Sequence, residues 1–326
     1  MNAVELLPQR TEPQRTAVTA YEWPITAGSS DTLHVDLSWS LAELGTPSTA
    51  AKDLLRVVAA AYIADRTNSR PAQALQRNLS LSVHVDEPRA WTPDALNYTV
   101  DLLHWLTGDV WTLEVLAAQP VPDPPEHGPD PGHVRAVSLL SGGLDSLCGA
   151  LLRLDQAEST LFLGHIDSAN AVSKAQRAIH DQLRARQPEL RYQRYALRPA
   201  GHVRESTPRT RSLLFMAMAV AAASGHGASE VLVPENGFTS INPPLEPSRG
   251  GPLTTRSTHP WTFYALRALM AELSLSVIAV QNPYGHLTKG ELVAEALRPR
   301  SADDRHLAAV TLSCAKPNAG RPKLEI

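Results

Sequence analysis

A glycine turn flanked by hydroxyl and carboxyl side chains is the part of this sequence best able to do chemistry. Its residues are Ser141, Gly142, Gly143, Leu144, Asp145 and Ser146. Adjacent glycines permit positive φ angles and let consecutive backbone N–H groups approach a ligand closely. Ser141 and Ser146 would add hydroxyl donors, and Asp145 would either cap a helix or hold a magnesium ion. The pattern therefore predicts a loop that binds phosphate groups.

The segments on either side of this turn support the prediction. Residues 136–140 are apolar, as in a short buried strand, and Leu147, Ala150, Leu151 and Leu154 recur at helical spacing. A strand-to-helix turn places the unsatisfied donors and positive end of the helix at the loop. The turn is not a Walker A loop, because it has no lysine of its own. A capped glycine turn without a ligand is the alternative interpretation.

A lysine from elsewhere in the chain could supply the missing cation. Lys289 lies where a strand ends and a helix begins, and Thr288 with Glu291 matches a capping box. Phosphate groups carry several negative charges that need cations besides magnesium, so we expect Lys289 to bind phosphate rather than to be a solvated helix lysine. Arg209 and Arg211 begin another helix and are candidates for the same role or for surface charges. We assign catalytic roles to Asp145, Lys289 and Arg211.

Residues that could recognise a substrate follow the predicted strand at residues 230–233. Glu235 and Asn236 lead into residues 239–259, a stretch with little periodicity that contains Asn242, Arg249, Arg256 and His259. Unstructured loops longer than about 15 residues are usually functional or disordered. The planar fork of an arginine suits a carboxylate, so Arg249 or Arg256 could hold an acid substrate, and spacing does not choose between them.

The order of elements predicts two domains. Residues 134–326 alternate strands with helices, which predicts an α/β domain with a doubly wound parallel sheet. Ligands of such sheets bind at the carboxyl ends of the strands, so the glycine loop, Asp167, Glu235 and Asn282 should cluster. The proline-rich residues 119–133 predict a linker. Residues 1–118 predict a smaller α+β domain with an antiparallel or mixed sheet. Apolar and polar residues alternate at 33–39 and 79–85, as in half-buried strands, and further strands are expected near 17–23 and 110–116. Helices are expected at 48–66 and 93–108.

Composition limits the classes of function. The formal net charge of −3 over 326 residues makes nucleic acid an unlikely partner. No apolar run reaches about 18 residues and residues 1–15 are polar, so we expect no membrane segment, and a cytoplasmic location is the default. Cys148 and Cys314 alone provide no disulfide framework. A serine hydrolase using Ser141 or Ser146 with His259 is disfavoured, because the Gly-x-Ser-x-Gly elbow is absent.

Several motifs resemble those of a known family. The Ser-Gly-Gly-x-Asp-Ser turn resembles the PP-loop of the N-type ATP pyrophosphatases, and with residues 210–215 and 287–292 the order resembles the 7-cyano-7-deazaguanine synthase (QueC) family. Residues 233–245 and 253–260 look closer to the QueC-like proteins of bacterial anti-phage operons, the Qat and type IV CBASS systems.

The resemblance implies a reaction and its participants. It implies ATP and magnesium, release of AMP and pyrophosphate, and adenylation of the carboxylate of 7-carboxy-7-deazaguanine. The acyl group would pass to ammonia, or, in defence relatives, to the amino terminus of a protein with a small first residue. An oligomer is possible.

One departure concerns a zinc site. The family ends with a cysteine-rich zinc site whose first ligand lies in a Thr-x-Ser-Cys context, which matches Thr311 to Cys314, but no cysteine follows. Zinc needs about four ligands, so we expect no intact zinc site within this sequence and treat Cys314 as a lone remnant. Either the site was lost or the sequence is cut short. A nucleotide-binding but catalytically impaired scaffold subunit of a defence complex is therefore the alternative function.

Overall fold

The computed structural model describes residues 2–16, 18–70, 76–121, 133–166, 170–201, 204–205, 208–244, 255–298, 307–309 and 311–312. Within them the chain is an α/β protein with a four-stranded parallel sheet and a seven-stranded, mostly parallel sheet, with helices packed alongside. The strands are β1 (Asn2–Pro8), β2 (Thr19–Trp23), β3 (Gly28–Ser29), β4 (Leu33–Val35), β5 (Asn78–Val85), β6 (Val110–Ala117), β7 (Ala136–Leu139), β8 (Thr160–Ile166), β9 (Arg191–Pro199), β10 (Glu230–Leu232) and β11 (Ala279–Gln281). The helices are α1 (Thr49–Thr67), α2 (Pro93–Thr107), α3 (Leu144–Leu152), α4 (Asn170–Arg186), α5 (Arg211–His226), α6 (Gly237–Ile241), α7 (Pro260–Glu272) and α8 (Lys289–Leu297).

The first sheet has the order β2-β1-β5-β6, and all of its neighbouring strands are parallel. The prediction of an antiparallel or mixed sheet in this region was therefore wrong. Parallel neighbours need a crossover connection, and α2 provides it between β5 and β6. The central strand β1 was missed, because Glu5 is fully buried between apolar residues and the alternation that marks a half-buried strand is absent.

The second sheet has the order β11-β10-β7-β8-β9-β4-β3. The five strands expected after residue 134 are parallel to one another, as predicted, whereas β4 pairs antiparallel with β9 and β3 pairs antiparallel with β4. Only residues 33–35 of the strand expected over residues 33–39 are extended, and they join this sheet rather than the first. A segment that precedes the proline-rich stretch thus completes the edge of the sheet that follows it.

One hydrophobic core runs through both sheets. It includes Leu54 and Tyr62 of α1, Leu81 of the first sheet, Val137 of the second and Val220 of α5. A separate core covers the opposite face of the second sheet, where α3, α4 and α8 pack on β8. Helices therefore flank both faces of the second sheet. The domain division at residues 119–133 stays a prediction, and residues 122–132 lie outside the described part.

Local capping signals set the helix ends that position the site. Pro93 is the first residue of α2, the Thr92 side chain accepts from the backbone N–H of Ala95, and Gly108 ends the helix at a φ of 73°. The predicted capping box of Thr288 and Glu291 is present at the start of α8. In the described residues no helix is both long enough and apolar enough to cross a membrane.

Candidate functional site

The glycine loop joins β7 to α3, as the sequence predicts. Gly142 has a φ of 91°, which favours glycine. The hydroxyls of Ser141 and Ser146 lie 3.1 Å apart, and the Ser146 hydroxyl donates to the Gly143 carbonyl at 2.9 Å. Gly143 is the N-cap of α3 and makes no side-chain cap of its own, and its backbone N–H donates to the Ser141 hydroxyl at 3.4 Å. The helix directs the positive end of its dipole at this loop.

Two distant segments hold the loop in place. The Gln176 side chain of α4 is fully buried, and its Nε2 donates to the carbonyls of Ser141 at 3.2 Å and His165 at 3.1 Å. The backbone N–H of Leu312 donates to the Gly142 carbonyl at 2.9 Å. Sequence reasoning missed Gln176, because a polar residue in a polar helix carries no signal of its tertiary contacts.

Lys289 is brought to the glycine loop. Its Nζ lies 3.1 Å from Oδ2 of Asp145, and 46% of the lysine side chain is exposed. The contact arises because Leu147 of α3 packs in the same core cluster as Leu292 and Ala296 of α8. The first turn of α8 thus delivers a cation to the first turn of α3, as expected from the absence of a lysine in the loop.

Glu235 and Asn236 join the same cluster from the end of β10. Nδ2 of Asn236 donates to Oδ2 of Asp145 at 3.2 Å, while its Oδ1 accepts from the backbone N–H of Thr239 and caps α6. The Glu235 carboxyl hydrogen-bonds Asp145. Burial first, and then Asp145, raises the pKa of Glu235 to about 9, although Lys289 opposes the shift. Glu235 is therefore a neutral acid at neutral pH.

Asn282 fixes the position of Glu235. Its Nδ2 donates to the Glu235 carbonyl at 2.7 Å and to the Ser240 hydroxyl at 3.0 Å, while its Oδ1 accepts from the N–H groups of Glu235 and Tyr284. The glycine loop, Glu235 and Asn282 thus meet at the carboxyl edge of the sheet, as the topology predicts. Asp167, the fourth residue expected there, lies outside the described residues.

Three of the predicted substrate-binding residues make their described contacts elsewhere. The guanidinium of Arg256 lies 4.1 Å from the ring centroid of Trp105, and its Nη1 donates to the Trp105 carbonyl. His259 caps α7, since its Nδ1 accepts from the N–H of Trp261, and burial followed by Arg256 lowers its pKa. Asn242 ends α6 at a φ of 42° and donates to the Thr255 carbonyl. Arg256 and His259 thus pack against Trp105 of α2.

The remaining assigned residues are placed as follows. Arg211 begins α5 with its guanidinium 5.4 Å from the ring centroid of Phe215. The backbone N–H of Arg209 donates to Asp65, and burial first, then Arg70, lowers the pKa of its side chain. Cys148 is fully buried, and burial raises the pKa of its thiol to about 12, which fits the expected inert core residue. Arg249 and Cys314 lie outside the described residues.

The assembled group can bind an anion and a divalent cation. A helix N-terminus and an ammonium group favour phosphate, and a carboxylate oxygen is a ligand that magnesium prefers. Among the residues the structure describes, no three His, Cys, Asp or Glu side chains are grouped to hold a metal by themselves. Comparison with models of known protein families gave no match, and comparison with curated proteins gave none either.

Proposed function

We propose that this chain is an ATP-dependent, AMP-forming carbon–nitrogen ligase with a PP-loop fold related to the adenine nucleotide hydrolases. The observation that carries the proposal is the 3.1 Å contact between Lys289 Nζ and Asp145 at the glycine loop. A loop without its own lysine gains a cation from α8, which is the charge needed by a pyrophosphate leaving group. The motif order that resembles the QueC family supports the same class.

The loop residues would bind the triphosphate. Backbone donors of Gly142 and Gly143, with the hydroxyls of Ser141 and Ser146, would surround the β and γ phosphates. Lys289 would neutralise the charge that develops on pyrophosphate. The buried Oδ1 of Asp145 accepts no hydrogen bond from the described residues, so this oxygen fits a magnesium ion, which would supply further charge neutralisation.

The substrate would be a carboxylic acid of the 7-carboxy-7-deazaguanine type. Its carboxylate oxygen attacks the α phosphorus of ATP, the bond to pyrophosphate breaks, and an acyl adenylate forms. An amine nitrogen then attacks the acyl carbon, and AMP leaves. Because Glu235 is protonated, it carries no negative charge that would repel an acid substrate. Arg249 remains a candidate for holding the carboxylate, whereas Arg256 already contacts Trp105.

The acceptor would be ammonia, giving first an amide and then, after a second ATP adenylates the amide oxygen and AMP leaves with it, the nitrile of 7-cyano-7-deazaguanine. The alternative acceptor would be the amino terminus of a protein with a small first residue in anti-phage defence. Both acceptors share the acyl adenylate, so one assay tests the common step. The protein, ATP, magnesium and 7-carboxy-7-deazaguanine are mixed with an ammonium salt, and pyrophosphate from the adenylation and AMP from the attack of ammonia are measured. ADP and phosphate as the only products would overturn the proposal.

A lysine pair provides the matched control. Lys289→Met should reduce AMP formation by about a hundredfold or more, since it removes the cation facing the leaving group. Lys174→Met changes an exposed lysine of α4 and should leave the rate unchanged. Equal rates for Lys289→Met and the unmodified chain would show that Lys289 does not serve the reaction.

A nucleotide-binding scaffold is the second candidate function. The observation that favours it is the engagement of Arg256 and His259 in contacts with Trp105 and Trp261, away from Asp145. ATP binding without AMP release for any acid or amine tested, together with nucleotide-dependent capture of a partner protein, would favour this role over the ligase.

A further inference from the structure

The outer edge of β6 is the longest open sheet edge in the described part of the protein. The second sheet ends in the short strands β3, with two residues, and β11, with three. At the other edge of the first sheet, the outward backbone of Glu22 in β2 is occupied, since its N–H donates to Thr32 and its carbonyl accepts from Ser30. The eight residues of β6 have neither form of protection.

The backbone of β6 presents a regular row of groups at this edge. The N–H groups of Val110 and Ala118 donate inwards, to the carbonyls of Arg77 and Val85 on the β5 side. The backbone N–H and C=O groups of successive residues in a strand point to alternate sides, so those of Trp111, Leu113 and Val115 point outwards. In the described residues no strand pairs with them.

The sequence of β6 also favours pairing. Val-Trp-Thr-Leu-Glu-Val-Leu-Ala is rich in β-branched, aromatic and aliphatic residues and has one charge, no lysine, no proline and no glycine. Natural edge strands usually carry charged residues, especially lysine, or proline, and these residues prevent association with another strand. Val110 is 44% exposed, and Leu113 and Val115 are half-buried.

We propose that β6 pairs antiparallel with β6 of a second copy of this chain, so that the two four-stranded sheets form one eight-stranded sheet. Centring the two-fold axis on Leu113 pairs Trp111 with Val115 of the second copy through their outward backbone groups. The same register sets Val110 opposite Leu116 and Thr112 opposite Glu114.

This register is the one that the side chains favour. The Glu114 carboxylate is paired with Arg15 of its own copy. A shift that centres the axis on Glu114 would place two such ion pairs directly opposite each other, with like charges close together, which is destabilising. A shift towards Thr112 would leave fewer residues paired. A two-fold axis also makes the same patch serve on both copies, as in most homodimers.

A charge exchange at Thr112 tests the pairing. Thr112→Glu sets a carboxylate opposite Glu114 of the other copy at two symmetric positions, whereas Thr112→Lys sets an ammonium group there. Both variants lose the 2.9 Å hydrogen bond to Ser80, so each controls for the other. Sedimentation velocity of the full chain should show a dimer, roughly tenfold weaker with Thr112→Glu and no weaker with Thr112→Lys.

Cross-linking tests the register in a Cys314→Ser background. Leu113→Cys should form an intermolecular disulfide on oxidation, because the two positions meet at the axis. Val110→Cys should not, because its two copies would lie about 20 Å apart. Circular dichroism checks that each variant is folded. A monomer at every concentration, a dimer that Thr112→Glu does not weaken, or cross-linking through Val110→Cys alone would overturn the proposal.

Discussion

Replacing Glu235 by glutamine should stabilise the protein, and the gain should grow with pH. The pKa of Glu235 is about 9 in the folded chain against an ordinary value of 4.5. Below pH 4.5 the carboxyl is protonated in both the folded and the unfolded state. Between pH 4.5 and 9 the unfolded state releases the proton while the folded state keeps it, so rising pH favours unfolding.

The structure gives the size of this effect. Neutral pH lies about 2.5 units above the ordinary pKa, and each unit corresponds to about 1.4 kcal/mol, so Glu235 lowers the free energy of unfolding by about 3.5 kcal/mol at pH 7. Glutamine has the shape of the protonated acid. Its amide can donate to Asp145, and its carbonyl can accept from Nδ2 of Asn236, which lies 3.4 Å from Oε1 of Glu235.

Urea unfolding followed by circular dichroism, without nucleotide or magnesium, measures the difference between Glu235→Gln and the unmodified chain. We expect almost no difference near pH 4.5 and about 3.5 kcal/mol near pH 7. Glu295→Gln, at an exposed position on α8, is the control and should show no such rise. A difference that does not increase with pH, or a loss of stability at every pH, would refute the assignment of Glu235 as a buried neutral acid.

Three further predictions concern the segments around the site. Thr288→Ala removes the capping box of α8 and should cost about 1 kcal/mol in thermal unfolding, whereas Thr288→Ser should retain most of it. Gly142→Ala should lower the free energy of unfolding by about 1–2 kcal/mol because of its φ of 91°, and by a further amount because the new Cβ would lie 3.0 Å from Gln176. Gly201→Ala is the control in urea unfolding and should show the backbone cost alone, since Gly201 has a φ of 87° and nothing lies within 4 Å of its Cβ position. In a Cys314→Ser background Cys148 should react with a disulfide reagent only after denaturation, because burial raises its thiol pKa to about 12, and rapid labelling of the native chain would contradict this.

Local signals made much of the fold predictable. The Thr92-Pro93 start and Gly108 end of α2, and the capping box of α8, act within a few residues, so the sequence predicts their positions closely. The strand β1 escaped prediction because Glu5 is buried beside His84, 2.9 Å away and far along the chain. Alternation at residues 33–39 indicates a strand but does not say which sheet it joins.

The residues of the candidate site likewise divide into those that the local sequence predicts and those that depend on tertiary contacts. The glycine loop was recognisable from its residues, and the absence of a lysine there pointed to Lys289, which the structure places beside Asp145. The four hydrogen bonds of Asn282 and the two of Gln176 depend on segments that meet only in the folded chain. Arg256 and His259 had suitable chemistry for a substrate, but Trp105 of α2 supplies a nearby aromatic and carbonyl partner that sequence spacing does not reveal.

The region before the proline-rich stretch helps to hold the glycine loop. Helix α5 packs on β7, the strand that leads into the loop, and α1 packs on α5. Asp65 of α1 caps α5, because its Oδ2 accepts from the N–H groups of Arg209 and Thr210 and from the Thr210 hydroxyl. Removing residues 1–118 would leave these donors unsatisfied and expose the α5 face that α1 covers, each of which costs free energy. The glycine loop therefore depends on the whole chain for its geometry, and a fragment that begins at residue 134 would lack part of the structure that positions it.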